Sequence, residues 1–414
     1  MESIVPTSFV HLKVAIIGCG IGGLAATIAL QRQGHQVTVY ERAHFASEVG
    51  ASISVAANGT KFLEEWGVDT VAGRSVILQK LIMRNWEDGS IKDVYDLNDY
   101  KERWGHVYNM FHRIDLHEQL QKTAKALGAI IVLDHKAVDI DLVNRTVTFD
   151  TGSTISVDLI IGADGVRSTI RNLIGIVAKT KPSTSACYRC IIRTTLVQQN
   201  GLKDFAHNNA IEFWGGFGIN KIVLAPCSAG EIVSFYCFYP ASHNDQSEEG
   251  WNFKATSSML IERFPDLDPD LLAIFEHAED IKLWKLVVHE PYPYWIKDCV
   301  ALLGDAAHPM MPDQSQGACM AIEDAAALGL IFSHKYWGTK IHTVEHGLQL
   351  YEILRKSRAT RVQEASALAR ENLNERIGWS SQRDNSNQQN TTKKLTIDEI
   401  NDYNMDQHLS SLLN

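Results

Sequence analysis

The sequence predicts an α/β protein, α+β overall, with a mostly parallel sheet, a second mixed or antiparallel sheet and C-terminal helices. Three apolar runs that are rich in β-branched or aliphatic residues have the composition of buried parallel strands, at residues 14–17, 157–161 and 299–304. Residues 185–240 instead alternate between apolar and polar positions in several short segments, which is typical of a separate sheet. Long helical patterns beyond residue 317 complete the mixed architecture.

The first predicted strand leads into a turn with G-x-G-x-x-G spacing, at Gly18, Gly20 and Gly23. In this pattern the first glycine permits a tight turn, the second lets a pyrophosphate approach the backbone, and the third lets a helix pack against the strand. A predicted helix over residues 24–33 and a second strand follow, and Glu41 comes directly after that strand. Because a carboxylate at that distance suits ribose hydroxyls, the stretch predicts a Rossmann-like unit that binds a dinucleotide.

Composition restricts the function classes to which the chain can belong. Its 414 residues are enough for two packed domains, and 45% of them are hydrophobic. The 39 basic and 49 acidic residues give a net charge of −10, which argues against general binding of nucleic acid. The uncharged stretch 14–30 approaches the length of a membrane span, but its glycine-rich turn argues against one.

Cysteine usage indicates a reducing compartment. The seven cysteines are an odd number scattered over the chain, which fits free thiols rather than a disulfide framework. The first residues contain no basic and apolar leader, so the sequence predicts a cytoplasmic protein. Cys187 and Cys190 match half of a zinc site, but no second pair completes four ligands, and no metal is expected. Both a monomer and a homodimer remain open.

The other elements follow from periodicity and turn residues. Helices are expected over residues 58–66, 117–127, 256–264, 269–276, 317–332, 343–374 and 397–412. Strands are expected within 76–110 and over 130–133, 145–149, 187–196, 211–214, 222–225, 232–239 and 281–286. The segment 380–392 is rich in Ser, Asn and Gln, and it is expected to be a mobile loop.

These elements predict two domains and a C-terminal segment. The first domain is discontinuous, and the second contains the additional sheet. The predicted boundaries are 1–75, 106–182 and 281–342 for the first domain, 76–105 and 183–280 for the second, and 343–414 for the helical segment.

Three segments together resemble the fingerprints of a known family. They are the glycine-rich turn with Glu41, the Gly-Ala-Asp-Gly-Val-Arg-Ser run at 162–168, and the Leu-Gly-Asp-Ala-Ala-His-Pro run at 303–309. Their order and spacing over residues 12–365 are similar to those of class A flavoprotein monooxygenases, the single-component FAD-dependent aromatic hydroxylases. Gly317, Ala318 and the segment 321–326 make the chain most similar to the salicylate-hydroxylase-like and fungal phenol-oxidising members.

The resemblance implies FAD as the cofactor and NAD(P)H as a co-substrate. It implies that Glu41 binds the adenosine ribose, that Arg113 lies at the phosphate and ribityl region, and that Asp305 binds the ribityl chain. The helix after residue 317 is expected to direct amides at the flavin edge that becomes anionic on reduction. Since no second G-x-G-x-x-G unit is present, NAD(P)H is expected to dock transiently. The full set of implied FAD positions is Gly18, Gly20, Gly23, Glu41, Arg42, Gly50, Ala51, Arg113, Asp164, Asp305, Gly317 and Ala318.

The activity that the resemblance implies is hydroxylation of a phenol or phenolic acid. Hydride from NAD(P)H reduces the flavin, O2 forms a flavin C4a-hydroperoxide, and an electrophilic OH passes to the ring. Loss of a carboxyl group or of ring aromaticity stays open, because residues 313–316 are polar where bacterial salicylate hydroxylases are more apolar.

Two other function classes stay open on the sequence. One is a flavin-dependent halogenase or reductase with a similar core, although only Trp284-Lys285-Leu286 stands where a halogenase has a Trp-x-Trp-x-Ile-Pro run. The other is a flavin-fold protein that binds a ligand or partner without turnover.

The second sheet is implied to hold the substrate. Period two places Arg189 and Arg193 on one face of a strand, and a cation aimed at a ring oxygen lowers the pKa of a phenol. Arg189 matches the Tyr-Arg position of the fungal phenol-oxidising members. Relatives often have a tyrosine before the proline that corresponds to Pro226, so Tyr236 or Tyr239 is expected to supply that hydroxyl. Arg189, Arg193 and Tyr236 are therefore the predicted catalytic residues.

Overall fold

The computed structural model describes residues 9–44, 51–241, 251–382 and 394–414. Its strands are β1 Lys13–Ile17, β2 Gln36–Tyr40, β3 Ser52–Val55, β4 Val76–Ile77, β5 Lys80–Arg84, β6 Ile91–Asp96, β7 Asn109–His112, β8 Ile130–Val132, β9 Ala137–Asp141, β10 Thr146–Phe149, β11 Thr154–Ser156, β12 Leu159–Gly162, β13 Thr180–Arg193, β14 Ala210–Gly215, β15 Lys221–Cys227, β16 Ile232–Pro240, β17 Trp251–Lys254, β18 Glu279–His289, β19 Ile296–Lys297 and β20 Val300–Leu302. Its helices are α1 Ile21–Gln31, α2 Ala57–Glu65, α3 Tyr100–Trp104, α4 Arg113–Ala126, α5 Thr169–Leu173, α6 Thr194–Gln199, α7 Ser257–Glu262, α8 Pro269–Phe275, α9 Gly317–Ile331, α10 Val344–Glu371, α11 Trp379–Gln382, α12 Ile397–Asn401 and α13 Met405–Leu412.

A six-stranded sheet in the order β19-β20-β12-β1-β2-β8 forms the first layer. All neighbours in it are parallel except β19 and β20, which confirms the predicted mostly parallel sheet. The residues of β1 after Lys13 are buried, as expected for a central strand that is covered on both faces. The carboxyl ends of β1, β12 and β20 meet at one edge, so the turns that contain Gly18, Asp164 and Asp305 lie side by side.

An eight-stranded sheet in the order β17-β18-β13-β16-β15-β14-β5-β6 forms the second layer. Its pairs are antiparallel except β14 with β5, so the sheet is mixed, as predicted. One face carries Tyr188, Trp214 and Phe235, which form a core with residues of α6, α7 and α8. Because successive side chains alternate, the opposite face carries Arg189 and Tyr236, and this face borders the cavity described below.

The C-terminal helices pack against the first layer. α9 crosses α1 closely, since a Cβ added at Gly329 would lie 2.9 Å from the Cβ of Ala29. The last helices pack back onto the body of the protein, as the amphipathic pattern at 397–412 predicts. Asn401 of α12 accepts from the amide of Asn58 at 3.2 Å and donates to the Tyr100 hydroxyl at 2.8 Å. None of the helices within the described ranges is long and apolar enough to cross a membrane.

Several element boundaries differ from the sequence expectations. α4 begins at Arg113 rather than at residue 117, because the amide of Arg113 bonds the carbonyl of Ala51 at 2.7 Å and anchors the first turn. β9 was not expected, because its short alternation of apolar and polar residues indicates a strand only when its pairing with β10 is known. Residues 380–382 belong to α11, whereas 383–392 of the expected mobile loop and Gly50 lie outside the described residues.

A buried network of charges joins α9 to α10. Arg355 donates from Nε to Asp324 at 2.8 Å and from Nη1 to Glu323 at 2.5 Å, and Arg358 adds two bonds to Glu323. Asp324 also accepts from His308 Nε2 at 2.6 Å, so the histidine that follows Asp305 is part of the scaffold. Burial raises the pKa of Glu323, but Arg358 and Arg355 outweigh it and lower that pKa to about 2.

The depressed pKa predicts a loss of stability in acid. Ionised Glu323 contributes fully to the free energy of unfolding above its ordinary pKa of 4.5. This contribution is lost as the pH falls through its pKa of about 2 in the folded protein. We expect this group to remove about 2 kcal/mol from the free energy of unfolding between pH 6 and pH 3, as measured by urea titrations. Glu323→Gln removes the titration and must flatten the pH dependence. An equal slope in the variant and the parent would contradict the prediction.

Candidate active site

The edge of the first sheet ends in a tight glycine turn, which we call the glycine cradle. Gly18 has a φ of +109°, and a Cβ added there would lie 2.4 Å from the carbonyl oxygen of Ala163. At Gly23 an added Cβ would lie 2.0 Å from the carbonyl oxygen of Gly18, so this position packs α1 against the turn. Gly20 is the N-cap of α1 and has no side chain that could cover the first amides. The uncapped helix start is therefore open to an anion.

Glu41 is held rigidly at the end of β2. One carboxylate oxygen accepts from the amide of Cys19 and the other from the amide of Ala43, both at 2.9 Å. Glu41, Arg42 and Lys136 line one end of a long cavity that also includes Gly18 and Gly20. The sequence-predicted ribose carboxylate thus faces the same space as the glycine turn.

The two later aspartates play different structural roles. Asp164 accepts from the Ser168 hydroxyl at 2.5 Å and from the amide of Thr169 at 2.6 Å, so its carboxylate shapes its own loop while it lines the cavity. Burial raises the pKa of Asp164, and these bonds act in the opposite direction. Asp305 lies after β20 on the cavity wall, and it is exposed to that space.

The start of α9 and the start of α4 complete the cofactor side of the cavity. Gly317 and Ala318 line it, and the N-cap residue Gln316 offers no side-chain cap to the α9 amides. Arg113 and Ala51 line the wall beside them. The dipole of a 15-residue helix therefore favours negative charge at this point.

The cavity has a volume of about 710 Å³ and runs from Glu41 at one end to Trp284 at the other. It joins the glycine cradle, the fixed carboxylate and two uncapped helix starts in one continuous space. These residues fit an FAD, because the dinucleotide needs adjoining sites for its adenosine ribose, its pyrophosphate and its ring edge, in that order.

The far end of the cavity is apolar and aromatic. Tyr236 donates its hydroxyl to the carbonyl of Ser52 at 2.8 Å, and its ring lies 6.0 Å from that of Trp284. Burial raises the pKa of Tyr236 to about 12, although Arg189 acts against this shift. Phe238, Phe213, Val223, Leu286 and Met311 complete this wall. Such walls exclude water and suit a planar ring.

The structure separates the two predicted arginines. Arg189 is fully buried beside Tyr236 on the neighbouring strand, where it pairs with Asp280 at 2.5 Å and lies over Trp284 at 5.4 Å. It is not among the residues that line the cavity, whereas its neighbours Tyr236 and Trp284 are. The Arg193 side chain is 64% exposed and pairs with Glu279 at 3.0 Å. Period two gave both arginines the same face, but the strand end carries Arg193 away from the cavity.

Tyr239 lies on the opposite face from Tyr236 and stacks on Tyr188 with ring centroids 5.2 Å apart. Of the two candidate hydroxyls, the structure brings Tyr236 alone to the cavity lining.

Sequence reasoning missed a group of charged residues in the cavity wall. Lys221 and Asp313 line the cavity and form a buried ion pair, and Arg370 of α10 bonds the same Asp313 oxygen at 3.1 Å. Lys221 stands at the start of a strand and Arg370 near a helix end, where charges are ordinarily solvated. In the sequence, only the polar character of residues 313–316 indicated that this part of the cavity wall is unusual.

Comparison with known proteins decides the family. A family model described as FAD binding domain matches residues 11–366, which is most of the chain. The chain is also 34% identical over 367 residues to the hispidin-3-hydroxylase of Neonothopanus nambi, covering 84% of this chain and 86% of that protein. The chain belongs to the FAD-dependent aromatic hydroxylases.

Further relatives of this hydroxylase agree with that assignment. The 3-hydroxybenzoate 6-hydroxylase 1 of Aquipseudomonas alcaligenes is 30% identical over 366 residues, covering 87% of this chain and 89% of the relative. A solved structure of 2-methyl-3-hydroxypyridine-5-carboxylic acid oxygenase superposes with a TM-score of 0.72 at 26% identity, over 88% of this chain and 94% of that one. The predicted family and the predicted cofactor FAD are thereby confirmed.

Proposed function

We propose that this flavoenzyme hydroxylates a phenol or phenolic acid with NAD(P)H and O2. The observation that carries the proposal is the aromatic end of the cavity, which lies in the same continuous space as the α9 start and is lined by Tyr236, whose hydroxyl bonds Ser52. Two relatives support this proposal, because they are named as hydroxylases, of hispidin and of 3-hydroxybenzoate.

Each part of the chain has a role in this proposal. Bound FAD supplies the transfer of electrons from NAD(P)H to O2 and of an electrophilic oxygen to the ring. Glu41 holds the adenosine ribose, Arg113 the phosphate and ribityl region, and Asp305 the ribityl chain. The α9 amides stabilise negative charge on the flavin ring edge. The remaining wall is lined by Gly18, Gly20, Arg42, Ala51, Asp164, Gly317 and Ala318, and Gly23 packs α1 against the turn.

Tyr236 orients the substrate in this proposal. Because its hydroxyl hydrogen is donated to Ser52, its oxygen is left to accept a hydrogen bond from a substrate hydroxyl. Arg189 is a positioning residue behind it, whose charge stabilises electron density on the substrate oxygen through Tyr236. The apolar walls keep water away from the reacting ring.

The test is turnover by the purified yellow protein. NADH and NADPH oxidation is followed with salicylates, orsellinic-type acids and resorcinols, and product mass is measured under ¹⁸O2. We expect one or more phenols to accelerate oxidation and to gain one labelled oxygen, and the mass shows whether a carboxyl group is lost. Indifference to every phenol would contradict the proposal.

Tyr236→Phe tests the proposed orienting hydroxyl. We expect kcat/KM for the best phenol to fall about fivefold to hundredfold, because the substrate hydroxyl that donates to Tyr236 is left unpaired away from water, which costs about 1–3 kcal/mol. FAD content should stay that of the parent. Tyr239→Phe is the matched control, since its ring packs on the other face of the sheet, and its kcat/KM should change less than about threefold. Equal losses of kcat/KM in Tyr236→Phe and Tyr239→Phe would contradict the proposed orienting role of Tyr236.

We also propose that the protein resides in the cytoplasm as a monomer or homodimer. All seven cysteines are buried and free of disulfides, which suits a reducing compartment. Cell fractionation and light scattering after gel filtration test the two statements.

A further inference from the structure

The charged residues of the cavity wall form a compact group to which the proposed FAD site assigns no role. Lys221 begins β15, Asp313 lies in the segment before α9, and Arg370 lies near the end of α10. The side chains are at most 5% exposed. Lys221 and Asp313 line the same cavity as Tyr236. Lys221 lies opposite Phe238, which is two residues from Tyr236 on β16. We call these three residues the charged triad.

The triad is held firmly by the surrounding structure. Arg370 bonds the hydroxyl of Ser185 at 2.9 Å, and its guanidinium lies 3.9 Å from the centroid of the Phe238 ring. Lys221 donates to Asp313 and to the carbonyl of Ala369, the latter at 3.2 Å. Contacts within the protein thus fix the positions of these three side chains.

Two hydrogen-bonding positions in the triad are left over. Both cations bond the same oxygen of Asp313, and its other oxygen, Oδ2, is buried with no partner among the described residues. The ammonium of Lys221 has three hydrogens and bonds two acceptors in the part of the chain that the structure describes, which leaves one donor there. A buried acceptor without a partner is costly, so a ligand that supplies a donor gains affinity there.

The charges in the triad also do not balance. Two cations face one carboxylate, and Arg376 adds a third positive charge close enough to act on Lys221. Burial lowers the pKa of Lys221, and Arg370 and Arg376 act in the same direction against Asp313. A partner that can take negative character would therefore stabilise the ammonium.

We propose that the charged triad binds a second hydroxyl group of the aromatic substrate, one that is acidic in the manner of a phenol or enol. A hydroxyl donates to Asp313 Oδ2 and accepts from Lys221 at once, and its acidity suits the positive surroundings. A carboxylate has no hydrogen to donate and leaves Asp313 Oδ2 unpaired, and an unsubstituted ring leaves both groups unpaired. The inference rests on the proposed function and narrows its substrate class to polyphenols and enolic relatives.

Binding to the FAD-loaded enzyme tests the inference without turnover. The dissociation constant is measured from the change in flavin absorbance for two matched series, one with a single ring and one with two. The single-ring series is phenol, resorcinol and 3-hydroxybenzoate. The two-ring series is 4-hydroxystilbene, 4,4′-dihydroxystilbene and 4′-hydroxystilbene-4-carboxylate. We expect the dihydroxy member to bind at least about tenfold more tightly than both others in at least one series.

Substitutions test whether the charged triad causes the preference for the dihydroxy member. Lys221→Met should reduce the preference for the dihydroxy member to less than about threefold, because it removes the donor. Asp313→Asn removes the acceptor charge and should shift binding toward the carboxylate member. Lys203→Met is the control, since that ammonium pairs with Asp270 at the surface, and it should leave the preference unchanged. If Asp313→Asn does not fold, Lys221→Met decides alone.

The outcomes separate the two proposals. Phenols that bind and are hydroxylated without any preference for a second hydroxyl overturn the triad inference and leave the proposed function standing. A preference that survives Lys221→Met also overturns it. If no phenol perturbs the flavin or is oxidised, both proposals fail.

Discussion

Replacing Arg355 by methionine is expected to lower the free energy of unfolding by about 3–5 kcal/mol. The guanidinium is fully buried and is the partner shared by Glu323 and Asp324. Its removal leaves two adjacent carboxylates with fewer cations in a low-dielectric interior, and that uncompensated charge is the source of the loss. The measurement is the urea unfolding midpoint at pH 7, followed by circular dichroism on the FAD-loaded protein.

Arg145→Met is the matched control for this experiment. Arg145 also pairs with a glutamate of α10, Glu345 at 2.8 Å, but the two side chains are 40% and 39% exposed. Exposed pairs contribute about 0–1 kcal/mol, so the control should lose no more than that. A loss for Arg355→Met as small as the control's would show that the network is not a determinant of stability.

Gly18→Ala is expected to reduce the FAD content of the purified protein to less than about a tenth of the parent's. The added Cβ would lie 2.4 Å from the backbone oxygen of Ala163, which cannot move without shifting the end of β12. Because the glycine cradle is formed by that turn, its displacement should remove the cofactor while much of the fold remains. The ratio of absorbance at the flavin band to that of the protein reports the content.

Gly128→Ala separates steric contact from backbone strain. Gly128 has a φ of +92°, similar to that of Gly18, but an added Cβ meets no atom within 4 Å. Both substitutions therefore impose a left-handed alanine, at a cost of about 1–2 kcal/mol, and only one collides with its neighbours. The control should retain its full FAD content. Equal loss of flavin in both variants would refute the steric explanation.

The residues that line the cofactor half of the cavity could be predicted from local sequence motifs. The glycine spacing requires a close turn wherever it follows a buried strand, and the chain placed Gly18 and Glu41 on the same cavity wall as expected. Asp164 and Asp305 follow strands whose carboxyl ends are adjacent, because parallel strands in one sheet share that edge. Their roles as cofactor contacts stay proposals.

The substrate half depended on relations that sequence patterns do not contain. Period two correctly gave Arg189 and Arg193 one face, yet it could not show that one is buried behind Tyr236 and the other exposed. The alternation in β16 separates Tyr236 from Tyr239, but only the position of Trp284 and Ser52 shows which face is the cavity.

The sequence by itself predicted most strands of the two large sheets and the glycine turn, since these follow from short-range periodicity and spacing. The resemblance of three motifs implied the FAD-dependent hydroxylase family. The tertiary structure alone decided that Lys221, Asp313 and Arg370 meet, because they come from a sheet strand, a loop and a distant helix. Burial then left one Asp313 oxygen without a partner among the described residues, which is the basis of the proposed hydroxyl site. Charges far apart in the chain acquire a shared role only when folding removes the water between them.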